Sequence, residues 1–533
     1  MKKFLIIFFA FAALNLCSQD LQNAGIMQAM RDEMRRSLVG LGGKEMPKPY
    51  FMVYKVLPVS GYAATANQGA LTETWQISAI NVLVALRLGS AKEDNSFFVS
   101  TTYPTADRQS PDFSYDAIRA ALWDETDRAY KNAQNALAKK RAYKQNKKID
   151  GDYPDFSPAP AAKGALAEPA FAAFPSARWE SLAKRMSAQG NLKELNSFKA
   201  AVSDSYRPVY FLSSEGAQYI KPYRYLRISL SATAKTENGF EFTESKNLIY
   251  ADLKDVPDDA ELIKQAGDFA AAAAALTKAK KAEPFIGPVM LEGGAAAGFL
   301  DDVFTRAVNE PRPVHYSSGN PTHGEFAQKL GLKIMPAWFD VFDDPAAKTF
   351  NNKTLAGFYE IDDEGVAARR LHLVDGGKLA AQPSTRSPIK GQPVSNGHAV
   401  LARRQDFAQG RARSLFFIPR ESIPAAQFKD KFLEYCRQEG LNYCYIVRGN
   451  TAGSSFSAYK VDAKTGEETP VYGAGFKDMS TRALRDIKFA ADDLEAYNLD
   501  AELSVVAPSL ILGEAEIIPT KKLPDSPPLV PKP

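Results

Sequence analysis

The sequence predicts an α+β fold, in which a mixed α/β N-terminal domain precedes a mostly antiparallel, β-rich C-terminal domain. Long helix-spaced segments alternate with strand-like runs up to about residue 282, and short strand-like runs dominate after it. These segments do not repeat as β-α-β units, which argues against a parallel sheet. With 533 residues, 45% of them hydrophobic, the chain is long enough for two or three domains.

The first 18 residues have the pattern of a secretory signal peptide. Lys2 and Lys3 precede an apolar run, residues 4–14, that is too short to span a bilayer. We predict cleavage after Ser18, and the alternative is an uncleaved membrane anchor. Because no later apolar run approaches about 20 residues, we expect an exported protein, periplasmic or extracellular, with no stable membrane span.

Composition and motif positions divide the rest of the chain. The predicted units are an N-terminal α+β domain (19–282), a C-terminal domain (283–520) and a Pro-rich tail (521–533). The net charge of +4 is small for this length and no long basic run occurs, so a nucleic-acid partner is not indicated.

Helical spacing and strand-like alternation predict the elements of the N-terminal half. Ser114 is suited to cap the longest predicted helix. The residues between the first two strands, 61–73, predict a turn or a mobile loop. Helices are predicted over residues 21–41, 115–144, 176–188, 192–202 and 258–282, and strands over 50–57, 75–88, 210–212, 223–234 and 240–250.

The C-terminal half opens with EPFIGPVMLEGGAAAGFLDDVFTRAVNEP, which predicts a strand, a Gly-Gly turn and a helix. Cys436 and Cys444 need a turn between them to form a disulfide, and both a disulfide and two buried free thiols remain open. The acidic run IDDEG lacks the alternation of a calcium loop and predicts a turn. Further strands are predicted over residues 337–341, 355–360, 369–374, 412–418, 441–447 and 457–461, and a helix over 421–435.

Several segments, taken in order, resemble the secreted branch of the TldD/PmbA family of zinc metallopeptidases. They include RAALWDETDRAYKNA, GFYEIDDEGVAARRLHLVDGGKL and SVVAPSLILGEAEI. In active members, the helix after the Gly-Gly turn carries His-Glu-x-x-x-His, and here the matching letters are FLDDVFTR. Asp301, Asp302 and Arg306 therefore stand where the first His, the Glu and the second His would be.

The resemblance implies that the zinc site of active relatives is lost. In those relatives the two histidines and a later cysteine hold zinc, and the Glu polarises the bound water. Arg306 cannot coordinate a metal, and no cysteine stands at the family position. We therefore expect no catalytic residue, metal or other cofactor, and a pseudoenzyme. Asp302 and Arg306 instead predict an i,i+4 ion pair, while positions 301 and 306 lie about 140° apart on an ideal helix.

Two other readings of the motif remain. In the first, Asp301 joins His315 and His323 in a rescued metal site, which would make the chain an active metallopeptidase with a non-standard site. The second reading is the gyrase-modulating role attached to the family, which conflicts with export because gyrase is cytoplasmic.

The resemblance also implies a role for a zinc-free chain. Such a chain would be the silent subunit of a heterodimer with an active TldD-like chain, or a homodimer that binds peptides through the old cleft.

Overall fold

The computed structural model describes residues 10–43, 46–99, 109–110, 113–147, 153–167, 173–316, 322–402, 406–449, 457–477 and 479–519. Side chains are described from residue 25 onward, except at 109 and 110. Helices and antiparallel-rich sheets combine as predicted, which confirms the α+β class. Within these ranges no helix is long and apolar enough to cross a membrane. The predicted signal peptide falls on residues whose side chains are not described, and the Pro-rich tail lies outside the described residues.

The N-terminal sheet is antiparallel, and its last strand, Glu241–Tyr250, pairs only with Arg224–Lys235 among the described strands. We call Glu241–Tyr250 the edge strand. In order across the sheet the strands are Gln109–Ser110, Ala70–Leu88, Pro49–Asn67, Leu195–Tyr206, Arg224–Lys235 and the edge strand. Two further strands extend the sheet to one side: Val209–Ser213 pairs with Pro49–Asn67, and Gln218–Lys221 pairs with Val209–Ser213. The accompanying helices are Ala10–Gly40, Tyr115–Lys147, Ser176–Ala188 and Asp259–Leu276.

The first two strands of this half form one long hairpin, so the loop predicted over residues 61–73 is wrong. The register runs without a loop from Pro49 opposite Leu88 to Asn67 opposite Ala70. Gln68 and Gly69 alone make the turn, with φ of 48° and 89°. Two successive positive φ values are typical of the type I′ turn, whose twist matches that of the flanking strands.

Two further predicted elements are wrong. Residues 192–202, predicted as a helix, lie largely in the strand Leu195–Tyr206. Alternate residues of that strand are buried, and this packing outweighs the helix propensity of its Ala and Lys residues. Residues 355–360 contain no strand. Gly357 instead packs so closely on Arg413 that an added Cβ would lie 2.0 Å from the Arg413 carbonyl oxygen.

The C-terminal half contains two larger sheets that share one apolar core, formed by buried residues between Ala282 and Ile517. One runs Lys280–Lys281, Glu468–Tyr472, Ser457–Asp462, Tyr443–Arg448, Phe285–Leu291, Leu510–Pro519 and Ala474–Phe476, with Ile487–Ala490 also on Leu510–Pro519. The other runs Lys378–Leu379, Leu371–Asp375, Phe339–Asp343, Ser414–Pro419, Leu503–Ala507 and Glu495–Asp500. Shorter elements are Phe98–Val99, Leu253–Asp255, His315–Tyr316, Thr349–Phe350, Lys353–Thr354, Ala399–Val400, Gln409–Gly410 and Arg482–Arg485.

A disulfide joins Cys436 to Cys444, whose Cα atoms are 6.4 Å apart. The helix Ala425–Gln438 ends just after the first cysteine, and the chain turns back into the strand Tyr443–Arg448. Both cysteines are fully buried. Of the two states that the sequence left open, the structure therefore has the bridged one.

Buried ion pairs connect the N-terminal sheet to the IDDEG turn. Arg87 Nη2 lies 2.8 Å from Glu364 Oε1, and Lys55 Nζ lies 2.8 Å from Asp363 Oδ2. Asp362, the first acid of the run, accepts three backbone N–H groups. The acidic run thus forms the predicted turn, and each of its carboxylates has a partner within the protein.

Candidate functional site

The strand Phe285–Leu291 leads through Gly293 and Gly294 into the helix that carries the motif positions. This helix, residues 294–308, is called the motif helix. Gly293 has φ 49°, and a Cβ there would lie 2.7 Å from the Tyr497 hydroxyl. The Gly-Gly turn therefore lets Tyr497 approach the start of the motif helix, which a larger residue would prevent.

The motif helix departs from ideal α-helical geometry where the motif lies. Residues Asp301–Thr305 form a π-helical stretch between two α-helical segments. Its i→i+5 hydrogen bonds bring residues five apart onto one face, as residues four apart are in an α-helix. The angle of about 140° expected for an ideal helix therefore does not hold for positions 301 and 306.

The sequence predicts an ion pair on the motif helix that the structure lacks. Asp302 and Arg306 are both exposed, and their charged atoms lie too far apart for an ion pair, although Arg306 still lowers the pKa of Asp302. Arg306 is near enough to lower the pKa of both Asp301 and Asp302, but it forms a described ion pair with neither. The predicted i,i+4 pair is therefore wrong.

Asp301 is the most perturbed carboxyl of the motif. Burial is the largest cause that raises its pKa, to about 6, and the nearby carboxylates of Asp302 and Asp500 act in the same direction. Arg306 opposes the shift. Burial also raises the pKa of Asp302. A carboxyl with a raised pKa gives up its proton to a cation less readily than an ordinary aspartate does.

The side chains at the motif do not fit a catalytic zinc ion. Such an ion needs three or more N, S or O ligands converging on one point. The motif helix offers one half-buried carboxyl, one exposed carboxyl and the guanidinium of Arg306. Among the described residues, Asp301, His315 and His323 do not form a group with ligand atoms within 4.8 Å of one another.

Each of the two histidines in that set takes part in local packing. His315 lies in a short strand paired with Phe98–Val99, and its ring centroid is 5.7 Å from that of Tyr143. Burial lowers the pKa of His315, and nearby cationic side chains add to the effect. His323 Nδ1 lies 2.8 Å from the carbonyl oxygen of Gly324.

A different acidic group, Asp340, His372 and Asp375, has ligand atoms within 4.8 Å of one another. Arg420 occupies it: Nε lies 2.8 Å from Asp340 Oδ2, and Nη2 lies 2.7 Å from Asp375 Oδ1. His372 Nε2 lies 3.6 Å from Asp340 Oδ1. The guanidinium already neutralises both carboxylates, so we assign this group as an ion-pair cluster.

A cavity of about 330 Å³ lies between the edge strand and the start of the motif helix. Seven consecutive residues of the edge strand, 244–250, line one side of it. Gly294 of the motif helix and Tyr497 of the strand Glu495–Asp500 line the other side. Small-molecule and peptide pockets commonly have volumes of about 300–1,000 Å³, so the cavity is large enough for a ligand.

Lys353 and Tyr497 form the polar part of the second wall. Lys353 Nζ donates to the Ala496 carbonyl oxygen at 2.6 Å and lies 3.9 Å from Glu495 Oε1. The Tyr497 hydroxyl donates to Glu495 Oε2 at 2.9 Å. Burial lowers the pKa of Lys353 and raises that of Tyr497. Sequence reasoning missed these residues because they follow no motif, and only the Gly-Gly turn marked this part of the chain.

The family of the C-terminal half follows from a comparison with family models. Residues 286–518 match the model described as the PmbA/TldA metallopeptidase C-terminal domain. This region of the chain is therefore similar to the C-terminal domain of the PmbA/TldA metallopeptidases. The resemblance drawn from the sequence is thereby confirmed at the level of the family for residues 286–518, but not for its secreted branch. The matched TldD/PmbA region contains the motif helix and Tyr497, whereas the edge strand precedes it.

Solved structures of low sequence identity share the fold of this chain. A putative modulator of a DNA gyrase from Thermotoga maritima has a TM-score of 0.58 at 14% identity, covering 91% of this chain and 100% of that one. TldE from Thermococcus kodakarensis has 0.58 at 13%, covering 92% and 99%. A putative modulator of DNA gyrase from Bacteroides thetaiotaomicron has 0.57 at 12%, covering 93% and 98%. A comparison with curated proteins found no match.

Proposed function

We propose that this chain is an exported, zinc-free and non-catalytic member of the TldD/PmbA family that binds extended peptides in the cavity beside the edge strand. The observation that carries the proposal is the cavity wall, which is seven consecutive residues at the edge of a sheet. On such an edge, every second residue directs its N–H and C=O away from the sheet. An extended peptide can pair with these groups as an added strand.

The donor chemistry of the motif helix supports binding without cleavage. A metallopeptidase hydrolyses its substrate with a water that the metal activates. Arg306 places a permanent cation at a ligand position, and Asp301, with its pKa raised to about 6, is protonated more readily than an ordinary aspartate. A peptide in the cavity therefore meets no activated nucleophile from this helix.

The buried disulfide supports export. Disulfides persist in oxidising compartments and are rare in cytosolic proteins. The bridge between Cys436 and Cys444 agrees with the Lys-Lys start and short apolar run of a secretory signal. N-terminal sequencing of protein from the cell envelope should find a chain trimmed near Ser18. An intact Met1 on cytoplasmic protein would contradict export.

We also propose that the chain associates, either with itself or as the silent partner of an active TldD-like chain. The strand Ala70–Leu88 pairs with Gln109–Ser110 only at Ile80 and Asn81, so that its residues 70–78 form an open edge in the described structure. Trp75 on that edge is 45% exposed. Open edges and exposed large apolar side chains are features that association covers. A monomeric mass at micromolar concentration, alone and mixed with an active homologue, would contradict this.

An N-methyl scan tests the proposed mode of peptide binding. A fluorescent, unstructured peptide of about ten residues is long enough to span a strand of ordinary length. Its binding to the purified chain is followed by anisotropy, with one backbone nitrogen methylated at a time. Methylation should weaken binding at alternate positions by roughly 2- to 10-fold, the value of one hydrogen bond, and have little effect between them.

Two outcomes would contradict the proposal. Absence of binding, or equal sensitivity at every position, would exclude pairing along the edge strand. Cleavage of the peptide that a chelator abolishes would instead favour an active metallopeptidase with a non-standard site. Mass spectrometry of the same samples distinguishes bound from cleaved peptide.

A further inference from the structure

The cations that line the cavity have their charges balanced by nearby carboxylates. Lys246 of the edge strand lies close enough to Asp268 and Glu261, on the helix Asp259–Leu276, for both to raise its pKa against the lowering effect of burial. Lys353 lies 3.9 Å from Glu495 on the opposite wall. Neither lysine therefore leaves an unbalanced positive charge in the cavity.

The charge of Glu244, unlike the charges of these lysines, is not balanced by a nearby group of opposite charge. Its side chain is half-buried and lines the cavity, and it forms no hydrogen bond or ion pair with any residue that the structure describes. Burial raises the pKa of Glu244 to about 7, and no cation offsets that effect. An ionised carboxylate in such a place is costly unless a cation or hydrogen-bond donor reaches it.

The surroundings of Glu244 suit one kind of ligand group. Glu244 and Lys246 alternate along the edge strand with Ser245 and Asn247, so they share one face of the sheet. Phe269, on the helix that covers this face, also lines the cavity. Lysine and arginine have an apolar stem and a charged end, and the stem packs on apolar surface while the end seeks an anion.

We infer that Glu244 makes this site selective for peptides with a lysine or arginine side chain at the position that faces it. The apolar stem packs near Phe269, and the ammonium or guanidinium pairs with the Glu244 carboxylate. The inference rests on the proposed peptide-binding function and adds to it a class of ligand: extended peptides with a basic residue. Glu244 is then a specificity-determining residue.

Three matched peptides test the selectivity. They are identical and unstructured except for one central residue, which is lysine, norleucine or glutamate, and their binding is measured by anisotropy at pH 7.5 and low salt. Because charge-assisted hydrogen bonds are stronger than neutral ones, the lysine peptide should bind the wild-type chain about tenfold more tightly than the norleucine peptide. The glutamate peptide should bind most weakly.

Two variants assign the effect to one side chain. Glu244→Gln should bind the lysine and norleucine peptides about equally, with the norleucine affinity close to that of wild type. Glu241→Gln is the matched control, since Glu241 is exposed on the same strand and does not line the cavity. It should keep the tenfold preference. Thermal unfolding should show both variants folded, because neither removes a described ion pair of the wild-type chain.

The outcomes distinguish the role of Glu244 from the proposed peptide-binding function. Equal binding of lysine and norleucine peptides by wild type, or a preference that persists in Glu244→Gln, overturns the role of Glu244. If the norleucine peptide still shows alternate N-methyl sensitivity, the peptide-binding function stands without it. Failure of all three peptides to bind overturns both.

Discussion

Arg87 and Glu364, 277 positions apart in the chain, form an ion pair with Nη2 2.8 Å from Oε1. Their side chains are only 4% and 3% exposed. Arg87 also pairs with Asp94 at 2.7 Å, and its guanidinium lies 4.3 Å from the centroid of the Phe156 ring. The strand Ala70–Leu88 of the N-terminal sheet is thus joined to the acidic turn of the C-terminal half by a contact that water does not screen.

Replacing Glu364 with glutamine should destabilise the protein strongly. Breaking a buried pair leaves an uncompensated charge and costs about 3–5 kcal/mol, and we expect the lower end because Asp94 still faces Arg87. Urea unfolding gives the change in the free energy of unfolding. Lys131→Ala is the control, since it removes an exposed pair with Asp127 at 2.6 Å and should cost less than about 1 kcal/mol. Similar costs for the two variants would contradict the prediction.

Removing the disulfide should lower stability measurably. The bridge closes a loop with a sequence separation of 8, for which chain entropy predicts a loss of roughly 2–3 kcal/mol in the double variant Cys436→Ala, Cys444→Ala. Thermal and urea unfolding measure it. Alkylation of the unfolded, unreduced wild-type chain should label neither cysteine. Quantitative labelling of both would show that the chain carries free thiols.

Asp301 should make stability depend on pH between about 4 and 6. Its pKa in the folded chain is about 6, above the usual 3.8, so the folded state holds this proton where the unfolded state has lost it. The free energy of unfolding should therefore fall as pH rises through this window. Asp301→Asn should flatten that part of the pH profile. A profile unchanged by the substitution would show that the carboxyl titrates normally in the folded chain.

Rebuilding the motif letters should not restore hydrolysis. The π-helical stretch places positions 301 and 306 on one face, so Asp301→His with Arg306→His can direct two imidazoles to one point. Asp302→Glu completes the His-Glu-x-x-x-His motif, but a third protein ligand is still lacking. The residues that hydrogen-bond to the ligands are lacking as well, and such residues alone change metal affinity by roughly 10–100-fold. We expect weak zinc binding at most and no cleavage above background.

Elemental analysis and a peptide-cleavage assay measure both properties of the triple variant. The wild-type chain, assayed beside it, should contain no stoichiometric zinc. About one zinc per wild-type chain, or chelator-sensitive hydrolysis by the triple variant, would mean that a further ligand exists at this site.

Local features of the fold were predictable from the sequence. Ser114 caps the helix Tyr115–Lys147, and its Oγ accepts from the Ala117 N–H at 3.3 Å. The strand, Gly-Gly turn and helix around residue 293 also lie where the pattern predicts them. Each of these depends on residues within a few positions of one another, which is the range over which propensity and periodicity act.

The candidate site depends on contacts of much longer range. The cavity joins the edge strand to Tyr497, and no periodicity within either segment specifies that meeting. The π-helical stretch has no sequence signature comparable to a glycine or proline. In residues 192–202 the local sequence favours a helix, but most of these residues form a strand because they are buried against neighbouring strands.

The position of the strand Leu510–Pro519 has a consequence for synthesis. It lies inside the eight-stranded sheet, between Phe285–Leu291 and Ala474–Phe476, and it follows in sequence every other strand of that sheet. It is made after all of its neighbours, so Phe285–Leu291 has no partner on that side until more than two hundred later residues have been made. This half therefore completes its sheet only when Leu510–Pro519 is present, and a chain that stops before Leu510 leaves an unpaired strand of the kind that chaperones bind.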